Sequence, residues 1–244
     1  MAHIILVHGS WHWAGCFHKL EPQLRSLGHT VESIDNASHG TDTTAWDAID
    51  SMATYTATLR ATVEASSEPV ILVGHSMGGV SLSYLAEEIP SKIAKLVYLT
   101  AFMTTPGKTA NDYIMGHAEN PVNAPLFGAL EPVNDWAGIR LKDEAPDQIR
   151  EAFYGDCSDE DVAFSAKNAT LINTSIPNIF TPTKVSDHER HYIHCTNDRA
   201  ISLQAQQEMC AEIPGIKTHS LETCHSPFYS QPEALAKIID DISI

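Results

Sequence analysis

The chain has 244 residues, a formal net charge of −16 and 43% apolar residues. This length is ordinary for a single α/β domain, whose core needs neither disulfides nor a metal for stability. The acidic balance argues against nucleic acid and anionic membranes as partners, because both are bound through clustered Lys and Arg. The apolar runs are strand-sized and too short to cross a bilayer.

The N-terminal residues and the cysteines both predict a cytoplasmic protein. Met1 to Val7 leads directly into an apolar run without a charged leader or a cleavage site, so we expect no signal peptide. The five cysteines are scattered along the chain without a CxxC pair, which favours reduced thiols over a disulfide framework.

Short apolar runs alternate with amphipathic segments over most of the chain. In chain order these patterns predict strand His3–Val7, helix Cys16–Leu27, strand Thr30–Ile34, helix Asp47–Ala65, strand Val70–Val73, helix Val80–Glu88, strand Lys95–Thr100, strand Arg190–Cys195, helix Leu203–Ile213, strand Lys217–Leu221 and helix Pro232–Ile242. Such alternation is typical of right-handed βαβ crossovers, which build a parallel sheet. The strands are apolar on both faces, so we expect helices on both sides of the sheet. The sequence therefore predicts an α/β fold with about six mainly parallel strands.

One long segment, Met103–Glu189, interrupts this alternation between the fourth and fifth predicted strands. It contains seven prolines and no clear strand, and its predicted helices are Pro146–Tyr154 and Ser158–Asn168. An insertion of this size over a parallel sheet predicts a helical lid. We therefore expect a single domain over residues 1–244, composed of a core of residues 1–102 and 190–244 and a lid insertion of residues 103–189.

The motif Gly74-His75-Ser76-Met77-Gly78-Gly79 matches G-x-S-x-G and directly follows the third predicted strand. A serine at a sharp strand-to-helix turn is held in a strained backbone conformation, with its hydroxyl above the sheet edge. The crowded backbone then requires residues without a Cβ two positions before and two after the serine. Because Gly74 and Gly78 occupy those positions, the motif predicts that Ser76 is a nucleophile.

A nucleophilic serine requires a general base and a carboxylate that orients it. In a doubly wound sheet these groups come from loops at the carboxyl ends of strands, in the chain order serine, acid, histidine. Asp198 follows the fifth predicted strand and His225 follows the sixth, so we predict them as acid and base. The alternatives are a turn role for Asp198, a plain loop role for His225, and Asp156 or Asp187 as the acid, although neither follows a strand.

The oxyanion hole requires two backbone N–H groups aimed at the developing negative charge. We expect one donor to be Met77, the residue after the nucleophile, and the other to be Ser10 in the loop after the first strand. Gly9 allows that loop to turn closely and is assigned to the substrate-binding site.

Three large side chains beside the catalytic loops are predicted walls of the substrate pocket: Trp11, Phe102 and Phe228. The histidines His188, His191 and His194 have a three-residue spacing, which would suit a metal only on a helix, and they begin a predicted strand. We therefore expect neither a metal nor a cofactor.

Several segments, which together extend over nearly the whole chain, follow the pattern of a known family: His8–His12, Lys19-Leu20, Leu27–Val31, Val70–Gly79, Ala101–Met103, Cys157–Asp161, Tyr192–Asp198, His225 and Gln231-Pro232. They resemble the α/β-hydrolase superfamily, and most closely its branch of plant methylesterases and hydroxynitrile lyases. The resemblance implies an α/β-hydrolase fold with its lid after the fourth strand, a homodimer, and a site composed of nucleophile Ser76, acid Asp198, base His225 and oxyanion donors Ser10 and Met77.

Two departures from the family pattern bear on the reaction and the substrate. Hydroxynitrile lyases carry a threonine at the position of Gly9 and a lysine at that of Ser226, so lyase chemistry is disfavoured here. The segment Trp13-Ala14-Gly15 inverts the usual order of small residues and tryptophan in the plant proteins. Plant-hormone esters therefore cannot be assumed as substrates.

The sequence predicts a serine carboxylic-ester hydrolase that cleaves a small to medium apolar ester, such as a methyl ester, through an acyl-enzyme. The same triad would also serve a lactonase, a C–C hydrolase or a polyketide-tailoring enzyme. A non-catalytic small-molecule receptor is a further alternative, against which the intact set of Ser76, Asp198 and His225 argues. The acyl and alcohol groups are not specified.

Overall fold

Nine strands form two sheets in the computed structural model, which describes all 244 residues. The strands are β1 His3–Val7, β2 Thr30–Ile34, β3 Val70–His75, β4 Ile93–Leu99, β5 Leu130–Val133, β6 Gly138–Leu141, β7 Ile172–Thr174, β8 Glu189–Cys195 and β9 Lys217–Leu221. Six of them form the central sheet in the order β2-β1-β3-β4-β8-β9, and every neighbouring pair is parallel. Their carboxyl ends share one edge of the sheet, so the predicted α/β fold with a six-stranded parallel sheet is confirmed.

Twelve α-helices accompany these strands: α1 Leu20–Ser26, α2 Met52–Tyr55, α3 Ala57–Ala65, α4 Gly78–Glu88, α5 Ala110–Gly116, α6 Ala124–Ala129, α7 Pro146–Phe153, α8 Asp159–Asn168, α9 Ile176–Ile179, α10 Leu203–Ala211, α11 Pro227–Ser230 and α12 Pro232–Ser243. None of these helices combines the length and the apolar character that crossing a membrane demands.

Two apolar layers lie on opposite faces of the central sheet. Along β1, Ile5 and Val7 join one layer and Ile4 and Leu6 join the other, because successive side chains of a strand point to opposite faces. Helices α3, α4 and α10 pack in the first layer, whereas α1 and α12 pack in the second. Helices therefore cover both faces, as the apolar strands predicted.

Two helices predicted as continuous are broken in the structure. The segment Asp47–Ala65 consists of a short 3-10 turn followed by α2 and α3, which Thr56 separates with φ of −104° and ψ of 14°. The Thr56 hydroxyl donates to the Met52 carbonyl at 2.7 Å. A side-chain hydrogen bond of this kind competes with the backbone hydrogen bonds of a helix, so threonine is unfavourable in the interior of a helix. The segment Cys16–Leu27 likewise divides before α1. Pro22 has no N–H to donate to the carbonyl four residues earlier, so a continuous helix is interrupted there.

The segment between β4 and β8 is not purely helical, and the prediction that it has no strand was wrong. Strands β5, β6 and β7 form a small antiparallel sheet. Three consecutive residues with positive φ, Asn134, Asp135 and Trp136, make the turn between β5 and β6. The predicted lid helices correspond to α7 and α8, and Ser158 caps α8 by accepting from the Asp161 N–H at 3.2 Å.

Candidate active site

Ser76 occupies the sharp turn from β3 into α4 with φ of +54°, a left-handed conformation that is strained for a residue with a side chain. A Cβ on Gly74 would lie 2.9 Å from the Gly78 carbonyl, and a Cβ on Gly78 would lie 2.6 Å from the Val7 carbonyl. Both contacts are with backbone, which cannot give way. The two glycines of the motif therefore let α4 begin directly behind the serine.

His225 and Asp198 are bonded to each other at the carboxyl edge of the sheet. The His225 Nδ1–H donates to Asp198 Oδ2 at 2.6 Å, and both side chains are almost fully buried. The other carboxylate oxygen accepts the backbone N–H groups of Ala200 at 2.7 Å and Ile201 at 2.9 Å. With the Thr100 hydroxyl donating to Oδ2 as well, four donors hold the carboxylate in place.

Thr100 is a part of this site that our sequence reasoning missed. It follows β4, where its N–H donates to the Ile193 carbonyl at 2.9 Å and its φ is +36°. This places its hydroxyl against Asp198 Oδ2. The sequence signal for Thr100 was its position directly after β4. This strand lies next to β8, which Asp198 follows.

His75 supports the loop that carries the base. Its Nε2–H donates to the His225 carbonyl at 2.9 Å, and the two rings lie 4.5 Å apart between centroids. Burial and the neighbouring His225 lower the pKa of His75 well below its ordinary value, so the ring stays neutral. Phe228 is fully buried, 4.9 Å from the His75 ring and 5.1 Å from Phe17. Its assignment as a substrate contact stays a prediction.

The predicted nucleophile, Ser76, and the predicted base, His225, are not bonded to each other in this conformation. No hydrogen bond joins the Ser76 hydroxyl to His225, although such bonds in unliganded serine hydrolases are often long and tighten only when substrate binds. Gly9 packs directly against the nucleophile, because a Cβ there would lie 2.5 Å from Ser76 Cβ and 3.1 Å from Ser76 Oγ. The loop after β1 therefore borders the serine.

The two predicted oxyanion donors have free N–H groups. Ser10 and Met77 lie in turns, outside any strand or α-helix, and neither N–H donates a hydrogen bond within the protein. Unpaired backbone N–H groups are rare in buried regions unless a ligand uses them. Met77 directly follows Ser76, and Ser10 directly follows Gly9, which packs against Ser76. The two N–H groups are therefore available to a ligand oxygen at the serine.

Aromatic side chains from the core and the lid surround these groups. Trp11 lies 5.8 Å from Phe153 between ring centroids, and Phe153 lies 5.5 Å from the His225 ring. Phe102 borders a small, mostly apolar cavity that it shares with Tyr113 of the lid. Phe153, at the end of α7, was not assigned to the site from sequence, since nothing in the local pattern shows which lid residue faces His225.

Two further buried histidines, His8 and His12, flank the loop of Gly9, Ser10 and Trp11 and are held neutral. His8 donates from Nδ1 to the Gly9 carbonyl at 2.8 Å and accepts the Asn36 N–H on Nε2 at 3.1 Å. His12 Nε2 lies 3.0 Å from the Tyr154 hydroxyl. Burial, the largest cause, lowers the pKa of His12 to about 4 and that of His8 well below its ordinary value. The site therefore presents no positive charge from these rings to a substrate.

The other acid candidates do not reach the imidazole. The Asp156 carboxylate accepts the Cys224 N–H at 3.0 Å, and so bonds the backbone next to the base. Asp187 is exposed in the loop before β8. Among the three acids considered, only Asp198 is bonded to the His225 ring.

The histidines near β8 have separate partners. His188 Nε2 lies 2.9 Å from the Pro90 carbonyl, whereas His191 Nε2 lies 2.8 Å from Glu189. The one cluster with metal-ligand spacing is composed of Asp156, Cys157 and Cys224, whose ligand atoms lie within 4.8 Å of one another. Its two thiols are 3.7 Å apart, and the hydrogen bond from Cys224 together with burial raises the pKa of Cys157.

Comparison with known proteins gives consistent matches over the whole chain. The model of the alpha/beta hydrolase family matches residues 4–238. A pyrethroid hydrolase of Sphingobium wenxiniae is 30% identical over 245 residues, covering 98% of this chain and 87% of that protein. Methylesterase 1 of Arabidopsis thaliana is also 30% identical, covering 96% of this chain and 93% of that protein.

A solved structure resembles this one closely. The crystal structure of a pyrethroid hydrolase from Sphingobium faniae superimposes with a TM-score of 0.91 at 28% sequence identity, covering 99% of this chain and 97% of that chain. The correspondence includes the insertion between β4 and β8, because almost no part of either chain lies outside the superposition.

Proposed function

This chain belongs to the alpha/beta hydrolase family and is an esterase, and from that premise we propose that it cleaves a small to medium apolar ester through an acyl-enzyme on Ser76. Its predicted resemblance to the methylesterase branch is confirmed by the match with methylesterase 1. The observation that carries the proposed mechanism is the buried His225–Asp198 pair, which lies beside the strained turn at Ser76.

The first step of the proposed mechanism forms the acyl-enzyme. Ser76 Oγ attacks the ester carbonyl while His225 Nε2 accepts the hydroxyl proton. Asp198 keeps the imidazole in the tautomer with hydrogen on Nδ1 and stabilises the cation that forms. His225 Nε2–H then gives its proton to the ester oxygen as the carbonyl carbon–oxygen bond breaks, and the leaving group departs as the alcohol.

The second step releases the acid. His225 takes a proton from water, which attacks the acyl carbonyl, and Ser76 leaves with that proton. In both steps the carbonyl oxygen becomes an oxyanion, and the free N–H groups of Ser10 and Met77 are the donors available to it.

The walls of the site favour a neutral, apolar substrate. Trp11, Phe102 and Phe153 are apolar, and the histidines His8 and His12 beside them are uncharged. Each of the three aromatic side chains is less than a tenth exposed, and so is Ser76. A substrate at Ser76 therefore contacts mainly buried, apolar surface.

Replacement of the nucleophile tests this proposal. Ser76→Ala should lower turnover of methyl and p-nitrophenyl esters by about 10³-fold or more, because the other triad members cannot form an acyl-enzyme alone. The measurement is initial rate on a panel that also contains lactones and cyanohydrins. Ser91→Ala, which changes an exposed serine far from the motif, should keep full activity.

Wild-type turnover by the Ser76→Ala variant would show that Ser76 is not the nucleophile. Preference for lactones over every open-chain ester would replace the ester assignment by the lactonase alternative, with the triad retained.

A further inference from the structure

The loop that carries Ser10 is a tight turn in a strained form. The His12 N–H donates to the Gly9 carbonyl at 3.3 Å, which makes Ser10 and Trp11 the two central residues of a β-turn. Trp11 has φ of +60° whereas Ser10 has no positive φ, which is the φ pattern of a type II turn. The third position of such a turn favours glycine or asparagine, so the tryptophan is disfavoured there.

The lid bonds every polar group of Trp11. Its N–H donates to Asn173 Oδ1 at 3.0 Å, and its carbonyl accepts the Thr170 N–H at 3.2 Å. Its indole N–H donates to the Ile139 carbonyl at 3.3 Å. Asn173 and Ile139 are paired residues of β7 and β6, so the small sheet of the lid directly contacts this turn.

We propose that Asn173 is a positioning residue for the oxyanion hole, a role that rests on the proposed esterase mechanism. In the alternative type I turn the Ser10–Trp11 peptide is turned over, and the Trp11 N–H points away from Asn173. The bond to Asn173 Oδ1 therefore supports the strained turn, as does the contact of the Ser10 carbonyl with His12 Nδ1 at 2.9 Å. The bond also ties the turn to β7, and because Ser10 lies within this turn, directly after Gly9 that packs against Ser76, the bond fixes the position of the Ser10 N–H.

The surroundings of Asn173 show that its oxygen is the required atom. The side chain is 5% exposed, and its Nδ2 has no hydrogen-bond partner. A buried, unpaired amide N–H₂ is unfavourable, so simple packing would be better served by leucine. Its Oδ1, in contrast, meets two nitrogens, the Trp11 N–H and His39 Nε2 at 2.6 Å.

The test compares three variants at position 173 with a matched control. Asn173→Leu keeps the size of the side chain and removes the acceptor, whereas Asn173→Asp keeps an acceptor oxygen beside His39. Asn173→Ser shortens the side chain, so that its oxygen no longer reaches the Trp11 N–H. This variant provides a second test if the leucine variant does not fold. Asn178→Leu makes the same chemical change at another buried lid asparagine, for which the structure records no side-chain hydrogen bond.

We expect kcat to fall about tenfold or more in Asn173→Leu, with KM within about twofold of the wild type, because an oxyanion hole stabilises only the transition state. Binding of a trifluoromethyl ketone, which forms a tetrahedral adduct with an active serine, should weaken by the same factor as kcat/KM. Asn173→Asp should recover most of the lost kcat, and Asn178→Leu should retain wild-type kinetics.

An unchanged kcat in folded Asn173→Leu, a rise in KM alone, or an equal loss in Asn178→Leu would each overturn the positioning role. These outcomes are separate from failure of the proposed function. Full activity of Ser76→Ala would remove the serine mechanism itself, whereas an inactive Ser76→Ala beside a fully active Asn173→Leu would remove only this inference.

Discussion

Thr100 donates its hydroxyl to Asp198 Oδ2, the oxygen that also accepts from His225. Thr100→Val removes this donor with little change of shape. Loss of one donor to a carboxylate loosens the orientation of the acid, so we expect kcat to fall about threefold to tenfold with KM nearly unchanged. Steady-state kinetics on the preferred ester measures the effect.

Thr100→Ser is the matched control, since it retains the hydroxyl and should restore most of the activity. Full activity of the valine variant, or a loss of kcat in the serine variant alone, would show that Asp198 depends on the branched shape of the side chain and not on the hydrogen bond.

At the scale of single residues, the sequence could locate those whose role follows from local pattern. Ser76 lies within a motif with two required glycines, and Asp198 and His225 each follow a recognisable strand. Asn173 carries no such signal, and the position of Thr100 after β4 does not by itself assign it a role. Their partners are distant in sequence, and a threonine or asparagine outside a motif is compatible with many roles.

Helix α4 begins in contact with β1, and this close approach depends on Gly78. A Cβ there would lie 2.6 Å from the Val7 carbonyl and 2.7 Å from the His8 carbonyl. Gly78→Ala should therefore push the helix away from the sheet and destabilise the fold by about 1–3 kcal/mol. The free energy of unfolding, measured by urea titration, provides the test.

Gly116→Ala is the control for this prediction, because Gly116 ends α5 with no atom near the added methyl group and no positive φ. The alanine there should leave stability unchanged or raise it by about 0.4–1 kcal/mol, since it restricts the unfolded chain. A Gly78→Ala protein as stable as the wild type would mean that α4 can shift without loss of packing.

At the scale of elements, the strands of the central sheet were predicted closely and the lid was not. The runs His3–Val7, Thr30–Ile34 and Lys217–Leu221 match β1, β2 and β9 residue for residue. Strands β5, β6 and β7 are only three or four residues long, and β5 contains Pro132. Such short strands have no hydrophobic period to detect and exist only through their mutual pairing.

The whole molecule should lose stability as the pH falls below neutral, because several buried histidines, among them His8, His12 and His75, are held neutral. Burial lowers the folded-state pKa values of His8, His12 and His75, whereas the unfolded chain takes up protons near the ordinary value of about 6.5. Proton uptake by the unfolded state then favours unfolding below that pH. Each histidine should cost about 1.3 kcal/mol of stability between pH 7.5 and pH 5.5.

Urea titrations at these two pH values measure the change in the free energy of unfolding. His12→Gln should reduce this change by about 1.3 kcal/mol, the contribution of one histidine. Carboxylates whose pKa is lowered, such as Asp161 and Glu189, stay ionised in this range and contribute only at lower pH. A pH dependence of the same size in the His12→Gln protein would show that other groups cause it.

The sequence by itself determined the architecture of the core and predicted the residues of the candidate site. Both follow from short-range patterns, namely the apolar periodicity of the strands and the G-x-S-x-G turn, together with the order of loops along a parallel sheet. Only the tertiary structure decided that the insertion after β4 contains a small sheet, and that Asn173 of this sheet accepts a hydrogen bond from the Trp11 N–H. The contact between Asn173 and Trp11 joins residues 162 positions apart, and no local pattern encodes such a pair.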